Sequence, residues 1–385
     1  MHFDIVVIGA GLAGASFVVA LRASRARVAV IEGHAPRPPA AGWDSRIYAI
    51  SPANKRFLDS LGLWQRLDAA RITPVFDMEI HGDRGGRLDF SAYDAGVTEL
   101  AWIVESSLMQ GELWETMKRQ ANVTLLCPAQ PRRLQLDEAR ARVALSDGRE
   151  LTADLVVGAD GVNSWVRETA GLSADVLPYR QKGVVANFAC SRPHRNVAYQ
   201  WFRPDGVLAY LPLPGERISI VWSTADDHAD ELAALPASEL AARVAAGGEH
   251  RLGSLEQVTP ATAFPLRLMR VERSVMARVA LIGDAAHAIH PLSGHGINLG
   301  FQDARVLAEV MAALPTDRDF GAHNELRRYE RARVEEVTAL QMATHALQRL
   351  FQHDNTPLAW LRNAGLNLTN ALPVVREALT RYALG

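Results

Sequence analysis

The glycines Gly9, Gly11 and Gly14, spaced by Ala10, Leu12 and Ala13, follow directly on the apolar run Ile5 to Ile8. Between a strand and a helix, the first glycine permits a tight turn, the second lets the backbone approach a pyrophosphate, and the third lets the helix sit close on the sheet. The helix N-terminus then faces the phosphates. Glu32 ends a second apolar run, Val28 to Ile31, where a carboxylate accepts hydrogen bonds from an adenosine ribose. A bare glycine pattern is often only a turn. The two flanking strands and Glu32 make it a dinucleotide fingerprint, which leaves FAD or NAD as the ligand.

Two further carboxylates favour FAD. Asp160 sits in Val157-Gly158-Ala159-Asp160-Gly161, and Asp284 in Leu281-Ile282-Gly283-Asp284-Ala285-Ala286, each at the strand end where parallel sheets bind ligands. A flavin carries a ribityl chain whose hydroxyls need acceptors, and Asp284 is assigned that contact. Taken singly, either aspartate reads equally well as a helix N-cap or turn former. Beyond Asp284 come Pro291, Gly294, Gly296, Ile297 and Asn298, then a helix from about Phe301. Glycines at 294, 296 and 300 let the backbone approach a flat ring, and the helix N-terminus favours negative charge on a reduced flavin.

His287, His290 and His295 invite a metal or acid/base reading. Their spacing lacks the face of a zinc site and no carboxylate ligand pattern accompanies them, so no metal is expected. Pro291 and His295 are the residues placed nearest the flavin chemistry. Trp201, Tyr210 and Trp222 are taken as lining for a hydrophobic substrate, against the plainer reading that half-buried strands are rich in aromatics.

The elements that must position these residues alternate in the manner of an α/β fold. Ile5 to Ile8, Val28 to Glu32, Leu155 to Gly158 and Val279 to Gly283 read as buried parallel strands. Val75 to Ser91 reads as a hairpin turning at Asp83 to Gly86, Ser107 to Gln120 as a helix, and Arg132 to Gly148 as paired strands. Between residues 178 and 265 strand-like runs separated by turns indicate an antiparallel sheet: Val184 to Cys190, Val197 to Phe202, Val207 to Leu211 and Ile218 to Trp222. Long helical patterns fill the chain from Gly296 onward. The fold class is therefore α/β: a Rossmann-like FAD-binding domain with a mainly parallel sheet, an inserted antiparallel-sheet substrate domain, and C-terminal helices. The expected boundaries are 1–72, 98–176 and 268–330 for the first, 73–97 and 177–267 for the second, and 331–385 for the helices.

The three motifs, in this order and at these distances, resemble the single-component flavin hydroxylases typified by p-hydroxybenzoate hydroxylase. Within that group, Asp44 to Ile50, Leu61-Gly62-Leu63-Trp64, Gly283 to His287, His290-Pro291, Gly296 to Gly300 and Arg381 to Gly385 resemble the ubiquinone-biosynthesis hydroxylases. The resemblance implies that Arg46 reaches the cofactor, Asp160 lies near the pyrophosphate or the reductant path, and Pro291 borders the isoalloxazine ring. It implies an FAD-dependent monooxygenase that takes electrons from NAD(P)H or a protein partner and hydroxylates a polyprenylated phenol with dioxygen through a flavin hydroperoxide. The alternatives are a hydroxylase of a small aromatic acid and a non-enzymatic FAD-binding sensor or assembly subunit. Two positions depart from the family pattern. Ser106 stands where a longer amide is usual, and His295 where Gln is common.

Bulk properties set the frame for these assignments. At 385 residues the chain exceeds one ordinary core, so two interleaved lobes are expected. A net charge of -2 with scattered arginines gives no basic block for nucleic acid. Cys127 and Cys190 form no CxxC pair, which fits a reducing compartment. No signal-peptide pattern and no long apolar run are present. The expectation is a cytoplasmic protein, with attachment to the inner face of the membrane, membership of a ubiquinone-biosynthesis complex and homo-oligomerisation left open. The stretch Leu350-Phe351 and Leu358 to Leu368, with Trp360, is the segment assigned to such contact.

Overall fold

The computed structural model describes residues 1–37, 42–291, 294, 296–352 and 356–372. The chain opens with β1 (His2–Ile8), α1 (Leu12–Ala20) and β2 (Val28–Ile31), whose four side chains are all buried. It continues through β3 (Ile47–Ile50), α2 (Pro52–Ser60), β4 (Thr73–Val75), β5 (Asp77–His81), β6 (Arg87–Ser91), β7 (Ala101–Glu105), α3 (Ser106–Lys118) and β8 (Val123–Leu126). A hairpin of β9 (Pro131–Leu136) and β10 (Ala141–Leu145) leads into β11 (Glu150–Gly158) and α4 (Trp165–Thr169). Then come β12 (Ala174–Cys190), β13 (Val197–Arg203), β14 (Gly206–Leu213), β15 (Arg217–Ala225), α5 (Asp226–Ala234), α6 (Ala237–Gly247), β16 (Leu255–Gln257) and β17 (Thr262–Val271). The chain returns through β18 (Val275–Met276), β19 (Val279–Leu281) and β20 (His287–Ala288) to α7 (Gly296–Ala312), α8 (His323–Gln352) and α9 (Thr356–Ala371).

In the first sheet β19, β11, β1, β2 and β8 run parallel in that order, so the carboxyl ends of β1, β2, β11 and β19 share one edge. Side chains bury on both of its faces. One face packs Phe17, Val18 and Leu21 with residues of α3 and α7 such as Met109, Leu113, Phe301 and Leu307. The other packs Val6, Val156 and Leu281 against Leu134, Val143 and Val166. Each fully buried side chain of this size contributes about 1.5–3 kcal/mol of transfer free energy, which fixes the edge that α1 and α7 flank.

The second sheet runs β20-β17-β12-β15-β14-β13-β5-β6. Its neighbours pair antiparallel except β13 and β5, which run parallel. β12 starts at Ala174 and β17 reaches Val271, so this sheet takes in residues just outside 177–267. The run of strands and turns expected between residues 178 and 265 is broken by α5 and α6. The physical reason is local: Asp226 and Asp227 start α5, and Leu240, Ala241 and Val244 recur at helical spacing in α6. These helices cover one face of the sheet. A three-stranded sheet, β3-β7-β4, sits between the lobes.

α9 closes the exposed edge at β6. The side-chain oxygens of Asn363, Asn367 and Asn370 accept from the backbone N–H groups of Gly86 (2.8 Å), Arg87 (2.8 Å) and Asp89 (3.0 Å). Arg362 and Asn363 also bind Asp83 at the hairpin turn. Asparagines at i, i+4 and i+7 thus do for this edge what a neighbouring strand would do.

Candidate active site

β1 leads through Gly9 into α1. Gly9 has φ +97°, and a Cβ there would collide with the carbonyl oxygen of Ala159 at the end of β11. A Cβ on Gly14 would collide with the carbonyl oxygen of Gly9, so the helix rests directly on the turn. Gly11 differs from both: a Cβ there meets nothing within 4 Å. Gly11 is the N-cap of α1 and no side chain caps the helix, so its first-turn N–H groups are left without a side-chain acceptor, as an anion site at a helix N-terminus requires. Leu12 is buried, and Ala13 packs beneath Gly283 and Gly300.

Glu32 turns back on this loop. Its Oε2 accepts from Ala10 N at 2.7 Å and its Oε1 from His34 N at 3.2 Å. The carboxylate therefore shapes the loop. Gln110 of α3 donates to the Ala10 carbonyl oxygen from the other side. Sequence reasoning passed over Gln110; its one signal was an amide on a helix that begins straight after a strand.

The segment before β3 is pinned from several sides. Asp44 accepts from Arg46 N (2.9 Å) and Ser107 N (3.1 Å), and its own N–H donates to the buried Glu105 at 2.6 Å. Arg71 grips Glu105 with two bonds of 2.7 Å. Held this way, Arg46 is exposed at the sheet edge, close enough to influence both Tyr48 and Asp284 electrostatically. Ser106 hydrogen-bonds the Tyr48 hydroxyl, and burial raises that phenol above its ordinary value.

Asp284 projects from the turn after β19. Its side chain is exposed, yet enough protein surrounds it to desolvate the carboxylate. Desolvation raises its carboxyl above the usual range, and His287 and Arg46 pull it back. Behind it lies Asp303 of α7, with no exposed surface. Asp303 Oδ2 accepts from Gly283 N (2.9 Å) and His287 Nε2 (2.6 Å), and Oδ1 accepts from Arg333 Nε of α8 (2.7 Å). Burial works to raise the Asp303 carboxyl, but His287 and Arg333 outweigh it and hold it below the carboxylate range.

Asp160 caps its own loop. Its carboxylate accepts from Ser164 Oγ (2.5 Å) and Val166 N (3.0 Å), at the start of α4. Arg167, unmarked in the sequence reading, ties this loop to the Asp284 turn by donating to Val162 O and Ala285 O, both at 2.9 Å. Asn298 likewise locks the start of α7. Its Oδ1 accepts from Ser51 N and Asn54 Nδ2, both at 3.0 Å, and its Nδ2 donates to Ala49 O (2.8 Å) and Gly294 O (3.2 Å).

Pro291 and Gly294 lie between this turn and α7, and Gly296 and Ile297 open the helix. His295 lies outside the described residues. His290, 1% exposed, shares a 3.2 Å hydrogen bond with Gln181 and meets the edge of Tyr179, and burial lowers its ring to about 4.

Trp201, Tyr210 and Trp222 stand elsewhere than sequence reasoning put them. All three are buried, on the face of the second sheet that packs against Leu232, Leu240 and Val244 of α5 and α6. Tyr210 donates to Val244 O at 2.5 Å. They are core residues, because side chains alternate along strands and Tyr199, Trp201, Leu208, Tyr210, Ile218, Ile220 and Trp222 all turn to the helices. The opposite face looks toward the first lobe: Leu211, Leu213 and Ala198 pack with Ala49, Val75 and Ile103. Its central row, paired strand to strand, is Val185, Val221, Ala209 and Gln200. Val185, Val221 and Ala209 are only partly buried although central in the sheet.

Uncapped helix, open glycine and crowded carboxylate together suit a dinucleotide bearing a ribityl chain. The family described as "FAD binding domain" matches residues 2–344. The chain is 36% identical over 386 residues to the ubiquinone hydroxylase UbiL of Rhodospirillum rubrum, covering 99% of this chain and 89% of that one. It is 32% identical over 387 residues to the 3-demethoxyubiquinol 3-hydroxylase of Escherichia coli, covering 99% and 98%. Among solved structures, pqsL, a probable FAD-dependent monooxygenase from Pseudomonas aeruginosa, matches with TM-score 0.79 at 25% identity over 95% of this chain and 99% of that one.

Proposed function

The chain belongs to the FAD-dependent monooxygenase family that includes the ubiquinone hydroxylases, and from that premise we propose that it hydroxylates the ring of a polyprenylated phenol in ubiquinone biosynthesis. When bound, FAD supplies the electron transfer and oxygen activation. The chain's own residues bind, orient and shield. The Gly11 cradle and the first turn of α1 hold the pyrophosphate, Glu32 the adenosine ribose, Asp284 the ribityl hydroxyls, and Arg46 the cofactor across the lobe boundary. Pro291, Gly294 and Gly296 border the ring.

The observation that carries the substrate class is the row Val185, Val221, Ala209 and Gln200 on the sheet face turned to the cleft. It offers contact area and no charge, so it accommodates a neutral phenol with an apolar tail. A small aromatic acid would leave its carboxylate unpaired there. Quinone profiling of a strain lacking the gene tests the reading: accumulation of an under-hydroxylated prenylated precursor supports it, and an unchanged quinone pool overturns it.

The electrons come from NAD(P)H or a protein donor, and substrate access is at the inner face of the membrane. No described helix is long and apolar enough to cross a membrane. Exposed Trp360, Leu368 and Met342 on α8 and α9 support surface contact. Phe351 does not join them, because it stacks on Phe202 with ring centroids 3.7 Å apart.

A further inference from the structure

We propose that Asp303 is the positioning residue that holds the Asp284 turn in its FAD-binding shape, and that Arg333 makes α8 part of the cofactor machinery. One carboxylate oxygen grips both ends of a five-residue turn, Gly283 N at 2.9 Å and His287 Nε2 at 2.6 Å. Asp284, the second residue of that turn, is left exposed. Gly283 has φ +60° and lies against Ala13 at the start of α1, so the clamp also fixes the distance between the Asp284 carboxylate and the phosphate cradle.

A carboxylate without exposed surface needs a counter-charge. Arg333 provides it from α8 at 2.7 Å and is itself held by Gln302, Glu336 and the Leu299 carbonyl oxygen. Tyr329, one turn earlier, donates to Leu281 O at 2.9 Å. α8 therefore meets the turn at its strand end and at its clamp. Asp303 has no exposed surface, so its effect on a bound cofactor runs through the turn it holds.

The test is a double-mutant cycle read by FAD affinity of the deflavinated full-length protein, with the folded fraction checked by circular dichroism. Asp303→Asn keeps the size but cannot serve the same three donors, and it is expected to raise the Kd for FAD roughly tenfold or more. In an Asp284→Asn background the same change is expected to add little, because the two residues act as one unit. A lowered Tm with unchanged Kd, or full additivity with Asp284→Asn, overturns the proposal. Should Asp303→Asn fail to fold, Arg333→Lys enters the same cycle with the same expectations. FAD affinity is read without substrate, so this outcome is independent of which phenol is hydroxylated.

Discussion

Asn187, with no exposed surface, reaches from the second sheet to donate from Nδ2 to the Asp44 carbonyl oxygen at 2.8 Å. Its N–H binds Thr259 Oγ1 at 2.9 Å. The bond joins the sheet above the cleft to the segment that carries Arg46, so it sets how the two lobes face each other. Asn187→Ala leaves the half-buried Asp44 carbonyl without this donor, at a cost of about 1 kcal/mol. It is expected to lower the Tm and weaken FAD binding together. A lowered Tm with FAD affinity intact would show that the Arg46 segment is held by other means.

Gly11 and Gly14 separate cofactor binding from folding. Gly11 has φ −64° and open space where a Cβ would stand, so Gly11→Ala should fold with an unchanged apoprotein Tm. Its methyl enters the phosphate cradle, and FAD affinity should fall roughly tenfold to a hundredfold. Gly14→Ala meets backbone instead and should cost the apoprotein about 1–3 kcal/mol. Thermal melts with and without FAD distinguish the two. Equal apoprotein losses would mean that the space at Gly11 is not the cradle.

The two faces of the second sheet predict opposite phenotypes for adjacent residues. Val221→Phe narrows the cleft face and should raise KM for a prenylated phenol while leaving FAD affinity and Tm nearly unchanged. Trp222→Ala empties the core under α6 and should cost about 3–5 kcal/mol of stability. Steady-state kinetics beside chemical denaturation checks both. A KM that responds to Trp222→Ala and ignores Val221→Phe would reverse the assignment of faces.

His290 makes stability depend on pH below 6.5. Burial lowers its ring from 6.5 to about 4. Below pH 6.5 the unfolded chain therefore takes up a proton that the native ring refuses. Stability should fall by roughly 3 kcal/mol as pH drops from 6.5 to 4. Asp83 and Asp303, both depressed, lose their contributions only below the ordinary carboxylate value. Denaturant melts across pH 4–7 should show a flatter profile for His290→Asn than for the wild type, and identical slopes would discount the effect.

The glycine turn, Glu32 and the strands beside them were readable because a turn between a buried strand and a helix is a local event with a local residue requirement. The place of Asp284 in the turn after β19 was readable for the same reason. Asp303 and Arg333 were not, since a carboxylate inside a helix acquires meaning only when the turn folds back 20 residues away in sequence. Asp160 illustrates a tie between readings, as its carboxylate caps α4 from the position that sequence reasoning gave to ligand contact. The aromatics misled because both faces of the second sheet are apolar. Alternation reveals that two faces exist and leaves open which one the helices cover.

The three asparagines along α9 carry a consequence for handling and fusion of this polypeptide. They occupy donors on an outer strand that would otherwise offer a ready template to another molecule of the same kind. A tag, cleavage or truncation that peels α9 away would leave a sticky margin on an otherwise intact fold, and clumping would then precede any loss of colour.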